Sequence, residues 1–245
     1  MKPLTLNART HRLSPRKGVS MNIRLVLVLC VAVAVITAPQ TSPVCRAEGI
    51  VLDTYENGLS DQWVEKSFEG HTRYEVVTED GYRCVKATSR ASASALYYEI
   101  KYDLTKYPYI SWRWKVAGVL SKGDATKKEG DDYGARVYLV FHSTWFWRTK
   151  AVNYLWANRL PKGEAVPNAF TGNVIMIAVE SGNERAGQWV EETRNVLEDY
   201  RRVFKEDPPP VGAVAIMTDT DNTGQEAHAW YGPLRIHDAQ EPFQK

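Results

Sequence analysis

Polar side chains recur at alternate positions in two segments that are predicted to form strands. These residues are Arg113, Lys115, Arg136, Tyr138 and His142. Because alternate residues of a strand point to one face, the two segments placed side by side would form a basic, hydrogen-bonding surface. Arginine binds carboxylates through two parallel donors, so the pattern predicts binding of a carboxylated or sulfated ligand. The alternative is a solvated outer face on which Asp131 or Asp132 pairs with Arg136.

Aromatic residues offer a second kind of contact. A flat ring packs against the apolar C–H face of a sugar, while flanking polar groups bind its hydroxyls. Trp145 and Trp147 lie in a predicted loop, where exposure is common, although burial as a loop anchor is equally open. Further candidates for ligand contact are Tyr154 and Trp156. By contrast, the apolar face of segment 109–116 places Trp112 and Trp114 in the predicted core.

An oxygen-rich string near the end of the chain is the one candidate metal site. Asp219, Asp221 and Asn222 offer several oxygen atoms within four residues, as a calcium loop would. Their spacing is not that of an EF-hand, and Asp and Asn are also ordinary turn formers. The alternative is a structural turn with Asp219 buried against an arginine. No other cofactor is predicted.

Catalytic signatures are absent from the sequence: it contains no nucleophile elbow, zinc-protease motif or phosphate-binding glycine loop. A glycoside hydrolase needs two facing carboxylates, for which Glu180 and Asp219 lie at the ends of predicted strands. A polysaccharide lyase needs a base and a charge neutraliser, for which the residues to consider are Arg136, Tyr138 and His142. The sequence therefore favours binding over catalysis, with a lyase or hydrolase as the alternative.

The elements that must position these residues are mostly strands. Apolar and polar residues alternate in many short segments with turn signals between them. These segments are 74–78, 83–87, 109–116, 135–142, 150–157, 173–180, 211–218 and 230–237. The pattern predicts an all-β fold, an antiparallel β-sandwich of jelly-roll type.

One segment has a different period. Apolar residues in 189–204 recur at spacings of three and four, which predicts a long amphipathic helix of about five turns. The prolines at 208–210 end it, because proline cannot continue the helical hydrogen bonds. Such a helix would cover one side or an open end of the sandwich.

The first 47 residues differ from the rest. They contain basic residues, no Asp or Glu, and an apolar run at 25–38 that is too short to span a bilayer. We therefore expect a cleavable secretory signal that ends at Ala47, with residues 1–20 as a mis-assigned start or an extended basic region. The alternative is an uncleaved anchor, and in that case alone we expect the protein to contact a membrane. A secretory signal implies export, and we expect the protein in a bacterial periplasm.

Residues 48–245 are expected to form a single β-sandwich domain. Residues 1–47 hold seven of the 31 basic side chains, so 24 basic and 29 acidic ones remain, a net charge of −5. Nucleic-acid binding requires a basic surface, so this class of partner is excluded. Beyond the leader Cys84 is the single cysteine, so the domain depends on its hydrophobic core and not on a disulfide.

Four strings carry a family resemblance. They are DDYGARVYLVF (131–141), NYLWAN (153–158), WVEETRNVLEDYRRVF (189–204) and MTDTDNTGQEAHAWYG (217–232). Together they resemble a family of exported bacterial proteins known as domain of unknown function 3047, over essentially all of residues 49–238. The resemblance implies a single domain without an assigned activity, and it offers no catalytic residue to carry over.

A weaker resemblance is to jelly-roll carbohydrate-binding modules. Those modules begin with an acidic-aromatic strand, as at 52–58, and end on an aromatic strand, as at 230–236. Many hold a structural calcium between these strands through acidic groups, but here Gly232 and Pro233 occupy the second position. The leading hypothesis is an exported, non-catalytic protein that binds a glycan or an anionic envelope polymer. A further alternative is an envelope scaffold that binds an unknown protein.

Overall fold

The computed structural model describes residues 49–141, 143 and 148–238. The predicted leader (1–47) lies outside these residues. The described chain folds into two sheets of seven strands each, so the predicted all-β sandwich is confirmed. Within the described residues, no helix has the length and hydropathy needed to cross a membrane.

The first sheet has the order β1-β14-β6-β13-β4-β3, and β11 pairs with β6 as well. Its strands are β1 (Gly49–Val51), β3 (Arg73–Glu79), β4 (Tyr82–Arg90), β6 (Tyr109–Val116), β11 (Val190–Asn195), β13 (Glu226–Tyr231) and β14 (Arg235–His237).

The second sheet has the order β2-β5-β12-β7-β8-β10-β9. Its strands are β2 (Trp63–Glu69), β5 (Ala93–Tyr102), β7 (Ala135–Phe141), β8 (Lys150–Ala157), β9 (Ala165–Asn168), β10 (Thr171–Ser181) and β12 (Val211–Asp219). The described pairs are antiparallel except for β8 with β10, which run parallel. They do so because the chain reverses direction in β9 after β8 and again into β10, which pairs with β8 on one side and antiparallel with the edge strand β9 on the other.

Aromatic rings from both sheets fill the core between them. Trp112 and Trp114 of β6 are fully buried, so their predicted place in the core is confirmed. Trp112 stacks on Tyr154 of β8 with ring centroids 5.5 Å apart, and Trp114 contacts Trp156 at 5.8 Å. Such large buried rings contribute heavily to the free energy of unfolding, about 3–5 kcal/mol each on truncation to alanine.

The helix predicted over 189–204 is only partly correct. Residues Val190–Asn195 form β11, an edge strand that pairs along β6 from Val190 with Trp114 to Asn195 with Tyr109. The helix α1 is Val196–Phe204, nine residues long. Within these six residues only Val190 and Thr193 belong to the helical pattern, which is too few to fix a period. The edge of β6 supplies the backbone hydrogen bonds that decide for a strand.

The start and end of α1 have clear local causes. The side chain of Asn195 accepts a hydrogen bond from the backbone N–H of Glu198 at 3.1 Å, an N-cap. Lys205 ends the helix in the left-handed region, at φ 59°. Tyr200 of the helix packs on Phe141 of β7 with ring centroids 4.5 Å apart, so α1 covers the core at that end of the strand.

Candidate functional site

The outer face of the second sheet carries a row of two tyrosines with an alanine between them. Ala215 of β12 lies opposite Tyr97 of β5 on one side and opposite Tyr138 of β7 on the other. Ala215 is buried, and both tyrosines are partly exposed. Because a methyl group is far smaller than a phenol ring, the sheet surface dips between the two rings.

This dip opens into a cavity of about 250 Å³, here called the tyrosine cavity. Small residues such as Ala95 and Ala151 deepen it. The larger side chains that line it are Phe68, Tyr97, Tyr138, Val140, Lys150 and Met217. Among the described residues its lining contains no carboxylate and no imidazole. A mostly apolar hollow with a few hydroxyl and ammonium groups is the usual composition of a small-molecule site.

Arg136 lies next to Tyr138 on the same face of β7 and is buried, its side chain 4% exposed. Its Nε donates to Oδ1 of Asp219 at 2.8 Å, and its Nη2 bonds the other carboxylate oxygen of Asp219. Nη2 also donates to the backbone carbonyl of Asp131 at 2.6 Å. The remaining group, Nη1, donates to the hydroxyl of Tyr138 at 3.0 Å.

These contacts correct the role predicted for Arg136. Its guanidinium is held by Asp219, so it positions Tyr138 and does not reach a ligand. The prediction that Arg136 pairs with the carboxylate of Asp131 or Asp132 is wrong, because the carboxylate bound to Arg136 is that of Asp219. The alternative of Asp219 buried against an arginine is what the structure contains.

The two tyrosine hydroxyls stay protonated at neutral pH. Burial raises the pKa of Tyr97 to about 12, with a further increase from Tyr138. Burial also raises the pKa of Tyr138, although the positive charge of Arg136 opposes this. Because the Tyr138 oxygen accepts a hydrogen bond from Arg136, its own proton is left to donate. In the structure this hydroxyl donates to the Met217 sulfur, a weak acceptor 3.8 Å away.

Arg113 lies on the other side of the molecule, on the outer face of the first sheet. Its side chain is 7% exposed, donates to Glu191 at 3.0 Å and lies 4.2 Å from the centre of the Tyr82 ring. The predicted surface that combines Arg113 with Arg136 is therefore wrong, because β6 and β7 belong to different sheets. Lys115, next on the same face, pairs with Glu79 and Asp80.

Tyr154 and Trp156 do not reach solvent either. Both face the core from β8 and are at most 1% exposed. Their polar atoms are bonded internally, since the Tyr154 hydroxyl donates to Asp199 at 2.9 Å and the Trp156 Nε1 to the carbonyl of Gly182 at 3.0 Å. The prediction that these two residues bind a ligand is wrong, because the alternation of β8 turns the intervening positions outward.

His142, Trp145 and Trp147 lie outside the described residues, so their proposed ligand contacts remain predictions. The residues on either side of this segment lie at one end of the tyrosine cavity, because Val140, Thr149 and Lys150 line it.

The predicted metal string folds against a third carboxylate. Ligand atoms of Asp132, Asp219 and Asp221 lie within 4.8 Å of one another. Asn222 is not among them: its backbone N–H and its Nδ2 donate to Oδ1 of Asp132 at 3.3 and 3.2 Å. The backbone N–H of Thr223 donates to the other oxygen of Asp132 at 2.6 Å.

These contacts form a hydrogen-bonded turn in which the guanidinium of Arg136 supplies a positive charge. Both oxygens of Asp132 accept N–H donors, and both oxygens of Asp219 bind Arg136. Burial and the charge of Asp132 raise the pKa of Asp221. The donor set is that of a calcium site in type. Arg136 neutralises one of the three carboxylates and backbone N–H groups bind a second, and calcium binding remains a prediction.

The carboxylate pair considered for a hydrolase is not available. Glu180 accepts hydrogen bonds from Lys162 at 2.6 Å and Arg185 at 2.8 Å, whereas Asp219 is bound by Arg136. Each carboxylate is therefore bound to its own basic side chains, and the two do not face each other as a catalytic pair.

Phe68 and Tyr97 line the tyrosine cavity but were not among the residues predicted from the sequence to bind a ligand. The signal for Tyr97 was present as the alternation of Ala93, Ala95 and Tyr97, a face of small residues that ends on an aromatic ring. Nothing local marks Phe68, because its place at the cavity depends on β2 pairing with β5.

Two solved structures similar to this chain align over nearly their whole length. One is the family 30 carbohydrate-binding module of the cellulosomal cellulase Cel9D-Cel44B of Clostridium thermocellum, with 10% identity and a TM-score of 0.46 over 79% of this chain and 99% of that one. The other is the cellulose induced protein Cip1, with 12% identity and a TM-score of 0.44 over 80% and 100%.

A third similar structure is the glycoside hydrolase domain of Endo-D, Spr0440, from Streptococcus pneumoniae R6. It shares 14% identity with a TM-score of 0.37, over 74% of this chain and 22% of that one. This chain thus spans less than a quarter of that protein. No curated protein matches the sequence.

The family comparison covers most of the described chain. The family model for the protein of unknown function DUF3047 matches residues 61–235, which include the tyrosine cavity, Arg136 and the acidic turn. Because the match spans well over half of the sequence, the chain belongs to the DUF3047 family.

Proposed function

We propose that this chain is an exported, non-catalytic carbohydrate-binding protein and that its tyrosine cavity contacts the sugar. The observation that carries the proposal is the pair of partly exposed rings, Tyr97 and Tyr138, on either side of the buried Ala215. A sugar ring presents an apolar C–H face and a rim of hydroxyls. The cavity offers matching ring faces together with two hydroxyl donors.

The composition of the cavity supports binding without catalysis. Hydrolysis of a glycosidic bond needs two carboxyl groups on either side of that bond, and the described lining has none. Both tyrosines keep their protons at neutral pH, so neither is prepared to act as a base. Arg136 is occupied by Asp219 and is too deeply buried to contact a substrate.

Export is the part of the proposal that rests on residues 1–47 alone. Their basic residues and short apolar run are those of a secretory signal, and a periplasmic location would bring the protein to polymers of the cell envelope. Mass spectrometry of the protein recovered from the envelope should give an N-terminus close to residue 48. An N-terminus that retains residues 25–38 would contradict cleavage.

A polysaccharide lyase is the second candidate, and one observation favours it. Arg136 donates to the Tyr138 hydroxyl at 3.0 Å, and a neighbouring positive charge helps a tyrosine to act as a base. The net pKa of Tyr138 is nevertheless raised. The ultraviolet absorbance of unsaturated products, followed over a panel of uronic-acid polymers, should stay unchanged for a binder and increase for a lyase.

Binding can be tested with polysaccharides in affinity electrophoresis. We expect Tyr97→Ala and Tyr138→Ala each to weaken retention on a bound polysaccharide by about tenfold, since loss of a stacked ring removes about 1.4 kcal/mol or more. Tyr82→Ala is the matched control, because Tyr82 is a partly exposed tyrosine of the first sheet. Equal retention of all three folded variants would contradict the proposed site.

A further inference from the structure

We propose that the outer face of the second sheet selects a linear polysaccharide that carries carboxylate groups. Two lysine–phenylalanine pairs at opposite edges of this face, Lys66–Phe68 and Lys128–Phe170, would each hold a charged sugar. This inference rests on the proposed function and specifies its ligand.

The first pair stands on β2, at one edge of the sheet. Phe68 is 55% exposed and lines the tyrosine cavity. The Nζ of Lys66 lies 5.6 Å from the centre of the Phe68 ring and 5.9 Å from that of Tyr97. Among the described residues no carboxylate forms an ion pair with Lys66, so two aromatic rings hold its ammonium group at the cavity.

The second pair belongs to the opposite edge. Phe170 lies in the turn between β9 and β10 and is 57% exposed. The Nζ of Lys128 lies 5.2 Å from the centre of its ring. In the described part of the chain Lys128 likewise has no ion pair. Nearby, Asn168 donates to the Asp131 carboxylate at 2.6 Å, which fixes this turn beside the segment that also binds Arg136.

Each pair combines the two groups that a uronic-acid residue requires. The exposed phenyl ring accepts the apolar C–H face of the sugar, and the ammonium group above the ring pairs with the carboxylate at the sugar's edge. Large exposed apolar side chains are common singly on protein surfaces. Two phenylalanines that are more than half exposed and both carry a lysine are therefore best explained by a ligand that needs both groups.

The positions of the pairs set the size of the ligand. Strands β2 and β9 are the two edges of a seven-stranded sheet. Six strand spacings of about 4.8 Å separate them by roughly 29 Å along the sheet. A single sugar does not reach across this distance, so the ligand must be a chain of several residues that passes over the tyrosine cavity.

Charge on this face is consistent with an anionic chain. Among the described residues, the polar side-chain groups that line the tyrosine cavity are hydroxyls and one ammonium group, that of Lys150, which pairs with Glu206 at 2.8 Å. Residues 48–245 carry 24 basic and 29 acidic side chains, so unpaired lysines here are not part of a generally basic surface. Their attraction for a polyanion is local.

Matched polymers that differ only in charge test the inference. The probes are polygalacturonate, alginate and glucuronan, each with its carboxyl-reduced neutral form, and affinity is measured by calorimetry with the full chain or its processed form. We expect at least one carboxylated polymer to bind about tenfold more tightly than its neutral form, and this preference to fall as salt is added. Monosaccharides should not bind measurably.

Variants assign the preference to the two pairs. Lys66→Ala and Lys128→Ala should each weaken binding of the carboxylated polymer by up to about fivefold, as expected for exposed ion pairs, with little effect on the neutral form. Lys86→Ala is the matched control, because its Nζ lies 5.6 Å from the Trp230 ring on the first sheet. Circular dichroism and melting temperature confirm folding of each variant.

The outcomes separate the inference from the proposed function. Equal binding of charged and neutral polymers would overturn the inference and leave glycan binding intact. The same holds if Lys66→Ala and Lys128→Ala bind like Lys86→Ala. Failure of folded protein to bind any polymer of either kind would overturn both.

Discussion

The Nη1 of Arg136 and the hydroxyl of Tyr138 lie 3.0 Å apart, two residues along the same face of β7. This contact joins a buried ion pair to the exposed cavity, because the other side of the guanidinium binds Asp219. The position of the Tyr138 ring is thus fixed by a buried neighbour on the same face of the sheet. A substitution of Asp219 should consequently alter the position of the Tyr138 side chain in the tyrosine cavity.

The buried pair should be costly to break on one side. In Arg136→Met the Asp219 carboxylate loses its counter-charge in a buried site, and we expect the free energy of unfolding to fall by about 3–5 kcal/mol. Urea denaturation measures the loss. The double variant Arg136→Met with Asp219→Leu removes both charges and should recover most of the stability. A double variant no more stable than Arg136→Met would show that the ion pair is not the cause.

Stability should depend on pH through Glu192. Burial, with the charge of Glu180 second, raises the pKa of Glu192 to about 7, and its Oε1 is buried without a hydrogen-bond partner. Between pH 4.5 and 7 the unfolded chain has released this proton while the folded chain retains it. The free energy of unfolding should therefore fall as pH rises through this window, by up to about 3 kcal/mol from this group.

The variant Glu192→Gln should remove that dependence and raise the stability at pH 8. Urea denaturation at pH 5 and pH 8 gives both values. Glu198→Gln is the control, because Glu198 is exposed on the first turn of α1. An unchanged difference between the two pH values in Glu192→Gln would refute the assignment.

The acidic turn should not require a metal ion. Since Arg136 and backbone N–H groups already satisfy Asp132 and Asp219, we expect EDTA to leave the melting temperature unchanged. Elemental analysis of the purified protein should find no bound calcium. A calcium-dependent rise in melting temperature that is lost in Asp221→Asn would instead show that the three carboxylates bind the ion.

The switch from β11 to α1 should depend on its cap. Asn195→Ala removes the hydrogen bond to the N–H of Glu198 and should lower the free energy of unfolding by about 1 kcal/mol. Asn195→Asp keeps an acceptor at the same place and should retain most of the stability in thermal denaturation. Equal losses in the two variants would mean that the cap is not what Asn195 contributes.

Local patterns in the sequence were enough to determine the class of fold and the inner face of several strands. The alternation in 109–116 placed Trp112 and Trp114 in the core, because the side-chain period of a strand is a property of the backbone itself. The oxygen-rich string from Asp219 to Asn222 correctly indicated a turn. The pairing of Asp219 with an arginine could be expected from the residue types alone, because a buried carboxylate requires a basic partner.

The tertiary structure decided which strands share a sheet, and with it the composition of the site. Arg113 and Arg136 have the same local pattern, yet they lie on different sheets. Tyr97 joins Tyr138 through Ala215, which is 118 residues from the first and 77 from the second in sequence. The edge of β6 likewise made a strand of six of the sixteen residues predicted to be helical. These outcomes depend on hydrogen bonds between distant segments, whereas sequence periodicity reports only on the segment that contains it.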